Sequence, residues 1–237
     1  MDYRKPHEFQ DNWSPSRRSV YPQFVAESEI LSRPEVRRIL DFGCAAGWNM
    51  SRFVHLGRRP VGFDVAPDRV RLARRFGPVL LASGGDIPVA DRVFDMVYVQ
   101  HVLHHMEDAP RALREMRRCL RPGGTLLLIE TVEDSPLIRW GRRLHPKWLG
   151  DPVRSFFTFE GLKGLVLDAG FRITRAGAFS VLFWTWEMFP NRFPALERLT
   201  PAFAAAERWL QGRFGRFSAH CFVVAEPGTG RHDGLFP

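Results

Sequence analysis

Residues 39–47 read Ile39-Leu40-Asp41-Phe42-Gly43-Cys44-Ala45-Ala46-Gly47: an apolar strand, an acidic residue, and two glycines four positions apart, set directly before a helical stretch. Small residues let the backbone approach a ligand closely at the carboxyl end of a first strand, and the carboxylate of Asp41 can attract a cationic group or orient the loop. A dinucleotide fold uses G-x-G-x-x-G, whose extra glycine and helix-end amides hold a pyrophosphate. Here Ala45 and Ala46 interrupt that pattern and Asp41 would repel a pyrophosphate. An NAD-dependent oxidoreductase is therefore disfavoured.

Working outward, strand-like apolar runs alternate with amphipathic stretches through the first two-thirds of the chain, the pattern of a parallel sheet with crossover helices. Strands are predicted at Arg38–Phe42, Pro60–Phe63, Val79–Ala82, Phe94–Gln100, Thr125–Glu130, Phe171–Ala176 and Ala219–Ala225. Helices are predicted at Trp48–Leu56, Pro67–Phe76, Ala109–Leu120 and Phe159–Ala169, with Asp108 and Thr158 placed to cap the last two. Thr200-Pro201 is a further helix start, and Phe203, Ala206, Leu210 and Phe214 recur behind it at helical spacing.

Two further pieces follow the first. Asp64 ends Val61-Gly62-Phe63-Asp64, where a carboxylate can accept both ribose hydroxyls of a nucleoside, and Asp86 in Gly84-Gly85-Asp86-Ile87-Pro88 can accept an adenine amino group while Ile87 packs the ring. Each piece alone is equally readable as a solvated strand end. In this order and at these spacings they resemble the class I S-adenosylmethionine-dependent methyltransferases, particularly the group similar to the ubiquinone and menaquinone biosynthesis enzymes. The resemblance covers roughly residues 38–130, more loosely 158–176 and 219–225. It implies a doubly wound, Rossmann-like α/β fold, whose seven-stranded, mostly parallel sheet has an antiparallel last strand. It also implies S-adenosyl-L-methionine as cofactor, with Asp41, Gly43, Cys44, Ala45 and Gly47 at the methionine moiety, Asp64 at the ribose, Asp86 and Ile87 at the adenine, and Val65 and Gln100 as further cofactor-binding residues. The chain departs from the family at Ala45, where glycine is usual.

Gln100-His101-Val102-Leu103-His104-His105-Met106-Glu107-Asp108 follows the fourth strand, beneath the position of the transferable methyl that the resemblance implies. His101 and His105 repeat the H-x-x-x-H spacing of zinc peptidases, but Val102 stands where their glutamate would be and no third ligand is apparent, so no metal is expected. His104 and His105 are the candidate catalytic residues, because a neutral histidine can take a proton from an acceptor hydroxyl as the methyl arrives; the alternative role for them is structural. Glu130 is a weaker candidate. The Asn/Asp-Pro-Pro-aromatic sequence of enzymes that methylate nucleobase or glutamine amino groups is absent. Methyl transfer to oxygen or carbon of a small-molecule or lipid-like acceptor is the expected function, and a catalytically inactive cofactor-binding protein with a regulatory or scaffold role is the alternative.

The remaining features bound the class. The chain has 237 residues, enough for one full α/β core, with 45% hydrophobic and 25% charged residues and no apolar run approaching a membrane span. Cys44, Cys119 and Cys221 have no metal or disulfide spacing, and Met1–Gln10 is polar, so a cytoplasmic location is expected. The formal charge of +8 comes almost wholly from scattered arginines, which does not point to nucleic acid. A cap segment at 1–35, a methyltransferase domain at 36–227 and a flexible tail at 228–237 are expected. The insertions at 131–157 and 177–218 carry many aromatic residues. They read either as packing between added helices or, with Tyr3, Trp13, Tyr21, Trp140 and Trp148, as an acceptor lid. Phe203, Leu210 and Phe214 opposite Glu207, Arg208 and Arg213 would suit peripheral contact with the inner face of a membrane. The oligomeric state is not legible.

Overall fold

The computed structural model describes residues 21–136, 139, 154–181 and 199–228. Its strands are β1 (Arg38–Phe42), β2 (Arg59–Asp64), β3 (Val79–Leu81), β4 (Phe94–Gln100), β5 (Leu120–Thr131), β6 (Phe171–Phe179) and β7 (His220–Pro227). They form one sheet in the order β3-β2-β1-β4-β5-β7-β6. Only β7 runs against its neighbours, pairing antiparallel with β5 and β6, while the other pairs are parallel. The helices are α1 (Pro22–Leu31), α2 (Trp48–His55), α3 (Pro67–Ala73), α4 (Ala109–Cys119), α5 (Phe159–Asp168) and α6 (Thr200–Phe214).

Both faces of the sheet are covered, which explains why the central strands read as continuous apolar runs. Alternate residues serve opposite cores. Leu40, Val97 and Leu128 pack with Leu113 and Met116 of α4 and Leu162 and Val166 of α5. Ile39, Tyr98 and Leu127 pack on the other face with Phe24 and Ile30 of α1, Phe53 of α2 and Ala204 of α6. The helix starts are fixed locally: Asp108 Oδ1 accepts the Arg111 amide at 2.8 Å and Thr158 Oγ1 accepts the Gly161 amide at 3.1 Å. The sheet order changes direction at β1, with β2 on one side and β4 on the other, so the loops after these strands diverge and leave a crevice at their carboxyl ends.

Several expectations change. Pairing on β5 begins at Leu120, opposite Phe94, so Pro122-Gly123-Gly124 is a kink within the strand, with Gly123 at φ 74° and a register shift on β4. The helix at Pro67 ends at Ala73 and continues as a single 3-10 turn to Phe76. Tyr21 does not roof an acceptor: it is wholly buried, edge-on to Phe24 and Phe179 at 6.5 Å. Glu207 does not lie on a polar outer face of α6. It is 3% exposed and accepts the Val181 amide at 2.7 Å, because the inward stripe of this helix is Thr200, Ala204 and Glu207. Tyr3, Trp13, Trp140, Trp148 and the aromatic residues between 182 and 198 lie outside the described residues. No helix among the described residues is long and apolar enough to cross a membrane.

Candidate active site

The loop after β1 is held in an unusual backbone shape by its own composition. Gly43 and Gly47 have φ of 75° and 83°, and Ala45 has φ 46°. A side chain at either glycine is excluded twice over. A Cβ on Gly47 would stand 2.9 Å from the Ala73 backbone, and one on Gly43 would stand 2.6 Å from both γ-methyls of Val102. Ala45 occupies the left-handed region with a Cβ, at a cost of about 1–2 kcal/mol. Asp64, 5% exposed at the end of β2, clamps the loop: its Oδ2 accepts the Ala45 amide at 3.0 Å and its Oδ1 the Ala66 amide at 2.9 Å. A carboxylate has about four acceptor positions, so two remain for a ligand's hydroxyls.

Asp41 is 2% exposed, and its Oδ2 has no hydrogen-bond partner. Burial pushes its pKa from the ordinary 3.8 up to about 7; Arg52 and the Met50 amide oppose the rise, while the Asp64 and Glu27 charges add to it. Around it runs a network that the sequence did not reveal. Glu27 of α1 pairs with Arg52 of α2. Arg52 donates to Asn49 Oδ1 at 3.1 Å, and Asn49 Nδ2 and the Tyr98 hydroxyl donate to Gln100 Oε1 at 3.2 and 3.1 Å. The polar pair Asn49 and Arg52, one turn apart on the helix behind the glycine loop, was a usable signal. Glu27 carried none, because nothing local marks a helical glutamate as buried.

Beyond β2, Val65 is 63% exposed, an apolar surface beside Asp64 suited to a flat ring. Asp86 is exposed. Ile87 departs from expectation: its side chain is 1% exposed within the core, and its amide donates to Glu115 at 3.1 Å, so no face of it is open to a ring. Cys44 is buried beside Gly62, and burial, helped by the Asp41 and Asp64 charges, pushes its thiol pKa far up, so it stays neutral.

Glu130, wholly buried at the end of β5, organises the histidine loop. Its Oε1 accepts the Val102 and Leu103 amides at 3.0 and 2.7 Å, and its Oε2 lies 2.7 Å from His104 Nδ1. Burial pushes its pKa up, but the hydrogen bond and charge of His104, with His101 and the Leu103 amide, outweigh it and hold the carboxyl below the usual range. His104 is 6% exposed and its ring stands 4.0 Å from that of the half-buried His105. His101, at φ 53°, places its Nδ1 3.3 Å from Thr131 Oγ1 and its ring 5.3 Å from that of His220. The loop touches both cofactor-side glycine segments: Val102 packs on Gly43, and Met106 on Gly84. Among the described residues no group of three or more His, Cys, Asp and Glu could hold a metal ion.

A family model described as a methyltransferase domain matches residues 40–128. The chain is 31% identical over 161 residues to an O-methyltransferase of Aspergillus nomiae, covering 61% of this chain and 68% of that one. It is 29% identical over 168 residues to a ubiquinone biosynthesis O-methyltransferase of Cereibacter sphaeroides, covering 64% and 67%. The chain spans 43–58% of the length of other curated relatives, to which it is 34–36% identical. The fold is shared with a SAM-dependent methyltransferase from Archaeoglobus fulgidus at a TM-score of 0.64, with 16% identity over 89% of this chain and 94% of that one. The chain belongs to the S-adenosylmethionine-dependent methyltransferase family. Its residues fit that cofactor: a buried carboxylate with an unpartnered oxygen lies in β1 just before the glycine loop, and a second carboxylate and an exposed valine follow at the end of β2.

Proposed function

We propose that this chain transfers the methyl group of S-adenosylmethionine to an oxygen of a small or lipid-like acceptor, with His101 taking the acceptor's proton. The carrying observation is the contact between the two loops. Val102 seats on Gly43 at the methionine side, while Met106 reaches Gly84 at the adenine side, so the beginning of the histidine loop is the part nearest the sulfonium position. The 43–47 loop, Asp41 and Asp64 would hold the cofactor, Asp41 at the amino group and Asp64 at the ribose. The bound cofactor supplies a methyl group already activated on a sulfonium, so alignment accounts for much of the rate.

Thr131 orients the His101 ring. With the proton on Nδ1 donated to Thr131 Oγ1, Nε2 is the basic nitrogen of that tautomer, suited to receive a hydroxyl proton. His104, buried and tied to Glu130, is a positioning residue: it and the Glu130 carboxylate hold the loop amides in place. His105 is half-buried and is the second candidate base. Oxygen as the methylated atom is supported by the O-methyltransferase names of two relatives. Trp209 and Phe214, exposed on α6 near Arg213, are where a lipid-borne acceptor would meet the protein.

The test is S-adenosylhomocysteine release with a panel of phenols and hydroxylated lipids, alongside calorimetry for the cofactor. His101→Ala is expected to lower kcat by about 100-fold, within the range of a lost general base, with cofactor affinity unchanged. Loss of turnover in His105→Ala with His101→Ala intact would move the base to His105. Cofactor binding with no methyl transfer to any acceptor would favour an inactive binding protein instead.

A further inference from the structure

We propose that the amino edge of the sheet, opposite the cofactor loops, carries a second site that takes a phosphate-bearing dianion. A recess of about 600 Å³ opens there, lined by Arg37, Arg38, Arg59 and Arg121 together with Glu35 and Asp95. It lies at the start of β1, and at 3.3 Å per residue a five-residue strand sets it about 15 Å from the cofactor loop at the other end. Nothing in the methyl-transfer site requires it.

Its charges do not cancel. Asp95 is 7% exposed and already committed: Oδ2 accepts the Arg37 and Arg38 amides, each at 2.7 Å, and Oδ1 pairs with Arg121 at 2.9 Å. The Arg37 guanidinium reaches only the Pro34 carbonyl, at 3.4 Å, and no described residue makes an ion pair or hydrogen bond with the Arg38 or Arg59 guanidinium. Four guanidiniums against two carboxylates leave an excess of two positive charges, the complement of a phosphate monoester.

The placement of Arg38 and Arg59 is the stronger point. They are register partners on adjacent parallel strands, so their side chains leave the same face side by side. Like charges at directly opposed positions weaken a sheet, and neither arginine has the acidic neighbour that Arg118 finds in Glu115 and Asp91 or Arg172 in Glu226. Paired guanidinium forks match the oxygens of a phosphate, which would turn the repulsion into joint binding. Asp95, by pinning the two amides at the start of β1, holds the recess in shape without neutralising it. The same chemistry fits a soluble phosphate ester and a phosphatidate headgroup.

The test compares the wild type with Arg38→Gln/Arg59→Gln and with an equal charge change elsewhere, Arg74→Gln/Arg75→Gln. Pyrophosphate is titrated by calorimetry in low-salt buffer, and phosphatidate vesicles are used in flotation. The proposal expects saturable pyrophosphate binding, weakened roughly tenfold or more by losing the two forks and unaffected at the control positions. It also expects Arg59→Gln to raise the melting temperature in the absence of anion and to abolish the further rise that pyrophosphate produces in the wild type. Flotation lost in Arg38→Gln/Arg59→Gln would assign the phosphate to a headgroup; pyrophosphate binding without flotation would assign it to a soluble ester. No saturable binding, or equal weakening in both double variants, would overturn the site. Cofactor affinity, measured in the same samples, reports separately on the methyltransferase reading.

Discussion

The loops after β1 and β2 and the loops after β4 and β5 share one edge of the sheet, yet they are built on opposite principles. In the first pair the glycines and their main clamp lie closer together in the sequence. Gly43, Ala45 and Gly47 lie within five residues, and Asp64, which clamps them, ends the next strand. In the second pair the working contacts span long stretches of chain: Glu130 to His104, Thr131 to His101, and His220 to His101. The difference teaches where the glycine loop and the histidine loop each get their shape. The glycine loop is shaped largely by backbone geometry that composition dictates. The histidine loop is shaped by one buried carboxylate that reaches it from a neighbouring strand.

That contrast breaks if the histidine loop keeps its shape without its anchor. Glu130→Ala should strand two backbone amides and the His104 ring in the interior, and it should cost about 3–5 kcal/mol in urea unfolding, the scale for losing one partner of a buried charged cluster. A loss under about 1 kcal/mol would mean that the loop is held by packing alone.

On the cofactor side the contrast is sharpened by pH. The Asp41 carboxyl keeps its proton to about 7 in the folded chain against 3.8 ordinarily, so between those values the folded state binds more protons than the unfolded one. Stability of the cofactor-free protein should therefore fall as pH rises across that window and level off above it, by an amount on the order of a few kcal/mol. Asp41→Asn should flatten that slope while weakening cofactor binding. An unchanged slope would place the Asp41 carboxylate in a better-solvated setting than its burial implies.

The smallest effect belongs to Ala45. Ala45→Gly removes the left-handed strain of about 1–2 kcal/mol but adds unfolded-chain entropy of about 0.4–1 kcal/mol, so a net gain of about 0–1.6 kcal/mol is expected in thermal unfolding. Cofactor affinity should rise or stay level. A marked loss of either would show that the Ala45 methyl packs usefully in the loop.

Much of this was legible in the chain. The glycine conformations of the first loop, the alternation of strand and helix, and the caps at Asp108 and Thr158 depend mostly on neighbours within a few residues, and Asp64 joins that loop from the end of the next strand, 19 residues from Ala45. Residues whose role rests on distant partners were read less well. Ile87 looked available to a ring but fills the core, Glu207 looked like an outer-face residue but is buried, and Tyr21 looked like a lid but is a packing residue. His101 looked like one half of a metal spacing, although its Nδ1 lies beside Thr131, 30 residues on.

By itself, then, the amino-acid sequence determined the doubly wound sheet and the family it serves, because hydrophobic period, glycine conformation and short-range capping act over a few bonds. Only the tertiary structure decided which carboxylates are buried, which histidine is locked against one of them, and that two arginines stand side by side at the far edge. Those are outcomes of strand order and register, which bring together residues that no local pattern connects.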